Sequence, residues 1–266
     1  MKIFISDLVL LGQDPVSNVR VLKENGFNDI EIMMDGAFWD NSQEERFELV
    51  QELKKFEVNY TVHPPAWDIN LTSETKYIRD ASFQAYADAI EFAGWLGASH
   101  VVIHPGFTFA PEFDKKVAIK HAKESIIELC ELANHANVKL AIENVGYNGT
   151  SILTMEEYVE FLKEVPEEAG YLIDVGHAQL NGWDIASVIR QTSSRLIALH
   201  LHDNDGQGDL HLPIGKGVIE WEVIFHELRD LNLEISYILE YGQNTSLEYL
   251  KTGQERLKNE LSWKLI

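Results

Sequence analysis

The sequence predicts a single (β/α)8 TIM barrel spanning residues 1–266, and three observations carry the prediction. Eight short runs of strand character alternate with longer runs of helical periodicity. A chain of 266 residues is the size that eight such units need. Nearly every short run ends in a polar, ligand-type side chain, which suits a ring of strand ends around one site. A doubly wound open sheet is the competing architecture. It is disfavoured because the first strand runs on into DLVLLGQDP, with no Gly-rich phosphate-binding turn.

The elements follow in order. Lys2–Ser6 (KIFIS) and Asp29–Met33 (DIEIM) are the first two strands. Ser42 and Glu45 have the S/T-x-x-E spacing of a capping box and open the next helix. Asn59–His63 (NYTVH) is the third strand, and Ala81–Leu96 carries apolar residues at helical spacing. His100–His104 (HVVIH) is the fourth strand, followed by a helical pattern over Phe113–Ala136. Lys139–Glu143 (KLAIE) is the fifth, and a second capping box, Thr154 with Glu157, opens the helix after it. Gly170–Asp174 (GYLID), Leu196–His202 (LIALHLH) and Ile235–Glu240 (ISYILE) complete the set. Trp183 and Trp221 stand near helix starts, where they are expected to pack between helices and barrel.

Composition narrows the function classes. At 45% hydrophobic, the chain can bury a sizeable core. A net charge of −21 repels phosphate backbones and anionic membrane surfaces, so neither nucleic acid nor membrane is an expected partner. The acidic surplus otherwise serves solubility. The lone Cys130 excludes an internal disulfide and fits a reducing compartment. MKIFISDLVLLG lacks the cleavage pattern of a signal peptide, and no apolar run reaches membrane-span length. A cytoplasmic protein is expected.

The strand ends carry the chemistry. From the second strand onward they bear Glu31, His63, His104, Glu143, Asp174, His200 with His202, and Glu240. Alternate residues of a strand share a face. Glu143 therefore lies on the side of Ala141, and Glu240 on the side of Ile238 and Ser236. His200 and His202 point together, away from Leu199 and Leu201. Carboxylates above packed apolar layers are costly unless paired, and a divalent cation is a natural partner. The set Glu143, Asp174, His200 and Glu240 suits one Mn²⁺, Mg²⁺, Co²⁺ or Zn²⁺. His63, His104, His177, Asp209 and His211 would build a further metal site or hydrogen-bond a polyol. Trp39, Trp67, Phe107, Phe109 and Tyr147 lie in the loops after strands and are candidates to wall a pocket.

Several residues have plainer readings. Glu31 either joins the site or anchors a loop, and His202 supports His200. Asp203 and Asp205 shape the loop that follows. His100, His121, His135 and His226 read as structural or solvated, and Lys216 as a solvated lysine. The Glu44/Glu45 and Glu167/Glu168 pairs read as solvated faces.

The ordered motifs LAIEN (Glu143), LIDVGHA (Asp174, His177), HLHDND followed by DLHLPIGKGVIEW (His200, Asp203, Asp209, His211) and ILEY (Glu240) resemble the xylose-isomerase-like TIM barrels. That superfamily includes sugar and sugar-phosphate isomerases and epimerases and the endonuclease IV enzymes, known also as AP endonuclease family 2. The resemblance spans all eight units. It implies that Glu143, Asp174, His200 and Glu240 hold a divalent metal and that Glu143 and Glu240 are the catalytic acid/base pair. It implies that His177 helps hold substrate. The endonuclease IV pattern adds His63, His104, His177, Asp209 and His211, for up to three Zn²⁺, and all of these positions match. Against the nuclease stand the acidic charge and the short βα loops. So does the fact that many isomerase-like members also keep the Asp-x-His pair before Gly-x-Gly. Epimerases of free ketoses often carry an Arg where this chain has Gly206.

The activity so implied is isomerisation or epimerisation of a sugar, sugar phosphate or polyol. A proton moves at a carbon next to a carbonyl, through a metal-stabilised enediolate. A trizinc AP endonuclease and a metal-dependent dehydratase of a hydroxy-keto ring are the alternatives. A small carbohydrate is the expected partner, with a homodimer or homotetramer as the assembly common to such barrels.

Overall fold

Alternation of strand-forming and amphipathic runs resolves into a closed barrel. The computed structural model describes residues 1–40, 43–243 and 245–262. The elements in chain order are β1 (Lys2–Ser6), α1 (Pro15–Glu24), β2 (Asp29–Met33), α2 (Gln43–Lys54), β3 (Asn59–His63), α3 (Lys76–Leu96), β4 (His100–Ile103), α4 (Lys115–Ala136), β5 (Lys139–Glu143) and α5 (Met155–Phe161). They continue with β6 (Ala169–Asp174), α6 (Val175–Leu180), α7 (Ile185–Thr192), β7 (Leu196–Leu201), α8 (Trp221–Leu231), β8 (Ser236–Leu239) and α9 (Leu247–Leu261). The strands pair in sequence order, and β8 closes on β1 through the register Lys2↔Ser236 to Ile5↔Leu239. All pairings are parallel, so every strand delivers its C-terminal end to the same rim.

Local signals set the helix ends. Asp14 caps α1 by accepting from Ser17 N at 2.9 Å, with Pro15 in the first turn, where its missing N–H is harmless. The Thr154–Glu157 capping box forms in both directions, at 2.9 and 3.3 Å. Ser42, of the other expected box, lies outside the described residues. Helices α4 and α8 stop where Asn137 and Asn232 take left-handed conformations, at φ 57° and 47°.

Three strands end one residue earlier than the alternation predicts, each for a local reason. The His104 amide donates to the Tyr86 hydroxyl at 3.2 Å, which substitutes for the ladder. Beyond His202, Asp203 turns into an antiparallel bridge with Leu212, at 2.7 and 2.8 Å. The Glu240 carbonyl accepts from His211 Nδ1 at 3.0 Å. Helix α3 begins at Lys76, ahead of the expected Ala81, and α4 at Lys115, behind the expected Phe113, because Asp114 caps it.

Two apolar cores result. Outward faces of the strands and inward stripes of the helices form one continuous layer, which includes Ile142, Ile173, Leu199, Leu201 and Leu239. Inside the barrel, Phe4, Val102, Ala141, Leu172, Ala198 and Ile238 form a separate plug. Trp183 and Trp221 do pack between helices and barrel: Trp183 lies 5.5 Å from the Tyr158 ring, and the buried Trp221 indole donates to Asp203 at 2.8 Å. Cys130 is buried in α4. Among the described residues, no helix is long and apolar enough to cross a membrane.

Candidate metal centre at the barrel mouth

The plug is the floor of the site. On each strand the residue two positions beyond a plug residue projects inward one layer higher. Ala141 leads to Glu143, Leu172 to Asp174, Ala198 to His200 and Ile238 to Glu240. All four upper residues are buried.

His200 stands at the centre of this layer. Its Nδ1 lies 3.3 Å from Glu240 Oε2, 3.6 Å from Glu143 Oε1 and 3.9 Å from Asp174 Oδ2. A second group adjoins it through Glu143, whose Oε2 is 3.0 Å from His104 Nε2 and 3.7 Å from His63 Nε2. A third group centres on Asp209 Oδ2, which lies 3.1 Å from His177 Nε2 and 3.2 Å from His211 Nε2. His177 Nδ1 reaches back to Glu143 Oε1 at 3.3 Å and links the third group to the first. The structure thus brings together all nine positions expected from the sequence.

Backbone contacts select which ring nitrogens face inward. His63 Nδ1 donates to the Pro64 carbonyl at 2.7 Å, and His211 Nδ1 donates to the Glu240 carbonyl. Each therefore presents an unprotonated Nε2 when neutral, the form that a metal requires. His202 Nε2 donates to Asp174 Oδ2 at 2.9 Å, and its ring stacks on His211 at 3.9 Å. Gly176 is required here, because a Cβ on it would stand 2.1 Å from His202 Cε1.

The donor atoms fit a cation. Both nitrogens of His200, His177 Nδ1, Glu31 Oε1 and Asp209 Oδ1 are buried without a hydrogen bond. Such orphans are rare in folded proteins and call for an ion or an ordered water. Glu143, Asp174 and His200 offer ligand atoms within 4.8 Å of one another, and His200 and Glu240 do so together with Glu31; carboxylates with an imidazole are the ligand types of Mn²⁺, Mg²⁺, Co²⁺ or Zn²⁺.

Mutual charge sets the protonation. Burial pushes the Glu143 carboxyl up, but His200 and His104 outweigh it and hold the group well below the usual range. Burial opposes charge on His200, yet Glu240, Glu31 and Glu143 raise its affinity for a proton well above the ordinary imidazole. His63 and His211 rise to about 9 against burial, through Glu143 and Asp209 respectively. At His104 burial wins and the pKa falls. Glu240 goes the other way from Glu143, because burial exceeds the pull of His200 and His211.

Above these groups lies a cavity of about 550 Å³. Glu143, Glu240, Asp209, His63, His104, His177 and His211 line its base, and Trp67, Phe107, Phe109 and Tyr147 form its walls. Trp39 does not reach it; its ring packs edge-on against Phe92 in the outer core at 5.3 Å. Asp174, His200 and His202 sit beneath the surface, and Glu31 lies a layer lower, fully buried.

Asp203 shapes the loop as expected, accepting from Gly215, Ile219 and Trp221. Asp205 does so by accepting from Gln207 and Gly208. Lys216 is exposed over the Tyr249 ring, His226 is exposed, and His100 is buried inside the barrel. Sequence reasoning missed Asn144. Its side chain bonds both the amide and the carbonyl of Asp174, at 2.7 and 3.0 Å, and so holds that ligand. Its place directly after Glu143 was the available signal.

A family model described as "Xylose isomerase-like TIM barrel" matches residues 19–262. A solved D-tagatose 3-epimerase-like protein superposes with a TM-score of 0.85 at 26% identity, covering 98% of this chain and 97% of that one. The uncharacterized protein MJ1614 of Methanocaldococcus jannaschii is 29% identical over 97% of this chain and 98% of its own. A probable endonuclease 4 of Thermoplasma volcanium is 29% identical over 67% of this chain and 66% of its own.

Proposed function

The chain belongs to the xylose isomerase-like TIM barrel family, and on that premise we propose that it is a divalent-metal-dependent isomerase or epimerase of a small carbohydrate. The observation that carries this reading is the placement of Glu143 and Glu240. They enter the base of the 550 Å³ cavity from β5 and from the end of β8, with His200 within 3.6 Å of both.

In this reading Glu143, Asp174, His200 and Glu240 hold the cation. Such a cation would supply the positive charge that stabilises negative charge developing on the oxygens of an open-chain sugar. One of the two glutamates takes the proton from the carbon next to the carbonyl. The other delivers a proton to the opposite face of that carbon, or to its neighbour. Solvent resets the pair. His177 donates to a substrate hydroxyl, and Trp67, Phe107 and Phe109 close the walls against the CH faces. These aromatics suit a sugar-sized ligand of mixed character. The epimerase-like structural neighbour supports the same reading.

A second reading is a trizinc phosphodiesterase. The Asp209 group favours it, since Asp209 lies 3.1 Å from His177 and 3.2 Å from His211, and His177 lies 3.3 Å from Glu143. The net charge of −21 counts against gripping a nucleic-acid backbone.

Two measurements on purified protein decide. The first is metal content by elemental analysis. The second is incubation of the metal-loaded enzyme with ketoses and ketose phosphates in deuterated water, read by NMR. About one ion per chain and deuterium uptake next to the carbonyl are expected. Three zinc ions, no exchange and cleavage of an abasic duplex would overturn the isomerase reading.

A further inference from the structure

Glu31 is fully buried inside the barrel, beneath the metal-binding layer and out of reach of the cavity. Its Oε2 accepts from the Thr61 hydroxyl at 3.2 Å. Its Oε1 has no hydrogen bond and faces His200 Nε2 at 3.4 Å. His200 is likewise fully buried, and its other nitrogen, Nδ1, points up at Glu240, Glu143 and Asp174. A carboxylate at this depth is costly to maintain without a partner. Thr61 occupies one oxygen only, and the other is aimed at the lower edge of the imidazole.

We propose that Glu31 is the positioning residue for the metal: it takes the Nε2–H of His200, orients the ring and presents a bare Nδ1 to the cation. The proposal rests on the reading of His200 as a metal ligand. Elementary chemistry supports the division of labour. A neutral imidazole has one donor and one acceptor nitrogen, and a carboxylate on the donor side makes the other nitrogen a stronger base. Among the described residues Glu31 is the one acid paired with Nε2, while Glu240, Glu143 and Asp174 all face Nδ1. A merely structural Glu31 would instead act through Thr61 and leave the ring indifferent.

The test compares wild type, Glu31→Gln and Thr61→Val. Affinity for Zn²⁺ and for Mn²⁺ is measured by chelator competition, and the nitrogen of His200 that keeps its proton by ¹⁵N chemical shifts in the zinc-loaded protein. Circular dichroism and thermal midpoints follow the fold. Glu31→Gln keeps the shape and an acceptor but removes the charge. It is expected to weaken both metals by about 10- to 100-fold, the usual cost of losing such a support. A fall in the Nε2–H population of His200 should accompany the loss. Thr61→Val should show the same changes at smaller size, so either variant alone can carry the test if the other fails to fold. Unchanged affinity and tautomer in a folded variant would overturn the inference, even if the thermal midpoint drops. So would a Co²⁺ spectrum showing that an oxygen ligand has left the metal in Glu31→Gln, since Glu31 would then ligate directly. A wild-type protein that takes up neither ion removes the metal reading and this inference with it, whereas wild-type uptake with equal uptake by both variants removes this inference alone.

Discussion

The two faces of the barrel strands are equally buried and chemically opposite. On β5, Ile142 faces the helices while Ala141 and Glu143 face inward; on β7, Leu199 and Leu201 face outward while Ala198 and His200 face inward. The outer face is a continuous apolar layer, whose residues are worth about 1.5–3 kcal/mol each on burial. The inner face is apolar at the plug and ionisable above it, with His100 and Glu31 also buried inside the barrel. Burial alone therefore does not report what a residue is for. The outer face holds the strands in place, and the upper inner face holds charge that the fold would shed if stability were the only demand.

Three substitutions or conditions would break or sharpen this contrast. The largest effect belongs to the inner face. Glu240→Gln should lower turnover by about 10²- to 10⁴-fold, the usual contribution of a general acid or base. It should leave denaturant stability unchanged or slightly higher, because it removes a buried charge. Exchange rates and denaturant midpoints read the two sides, and a large loss of stability would erase the contrast. On the outer face, Leu199→Ala should cost about 2–5 kcal/mol. The metal stoichiometry of the folded fraction should stay as in wild type, since the side chain contacts the helical layer.

The smallest effect is on pH dependence. In the metal-free protein His63 and His211 keep their protons up to about pH 9 through Glu143 and Asp209 respectively, with Glu240 adding to both, so a cation that takes over Glu143 and Glu240 weakens their hold on those protons. Affinity should rise with pH by up to about tenfold per unit for each proton displaced, and level off above pH 9. The same raised values stabilise the metal-free fold fully below the unfolded imidazole pKa of about 6.5, and that contribution fades as pH climbs through 9. Calorimetry in buffers of different ionisation heat measures the released protons. Affinity that is flat between pH 6.5 and 9 would show that these two histidines stay clear of the metal.

Much of the fold was legible because its signals are local. Strand alternation places Glu143 with Ala141 and His200 with Ala198 whatever the rest of the chain does. The Thr154–Glu157 box needs only one turn of helix. Trp39 misled because loop position says nothing of direction, and Phe92 on a distant helix claims its ring. Asn144 went unseen because its partner, Asp174, is thirty residues away and meets it only when β5 pairs with β6. Glu31 read evenly as a site residue or an anchor, since its meaning depends on what lies above it across the barrel.

By itself the sequence determined the eight units, the inward set of side chains and the ligand types at the rim. All three follow from periodicity and composition within short windows. Tertiary structure alone decided which ligands share a point. Closure of β8 on β1 sets Glu240 beside His200, the return of the loop after β7 sets His211 against the Glu240 carbonyl, and the depth of the plug seats Glu31 against the far nitrogen of His200. Those distances depend on how the whole barrel closes, which no short stretch of chain encodes.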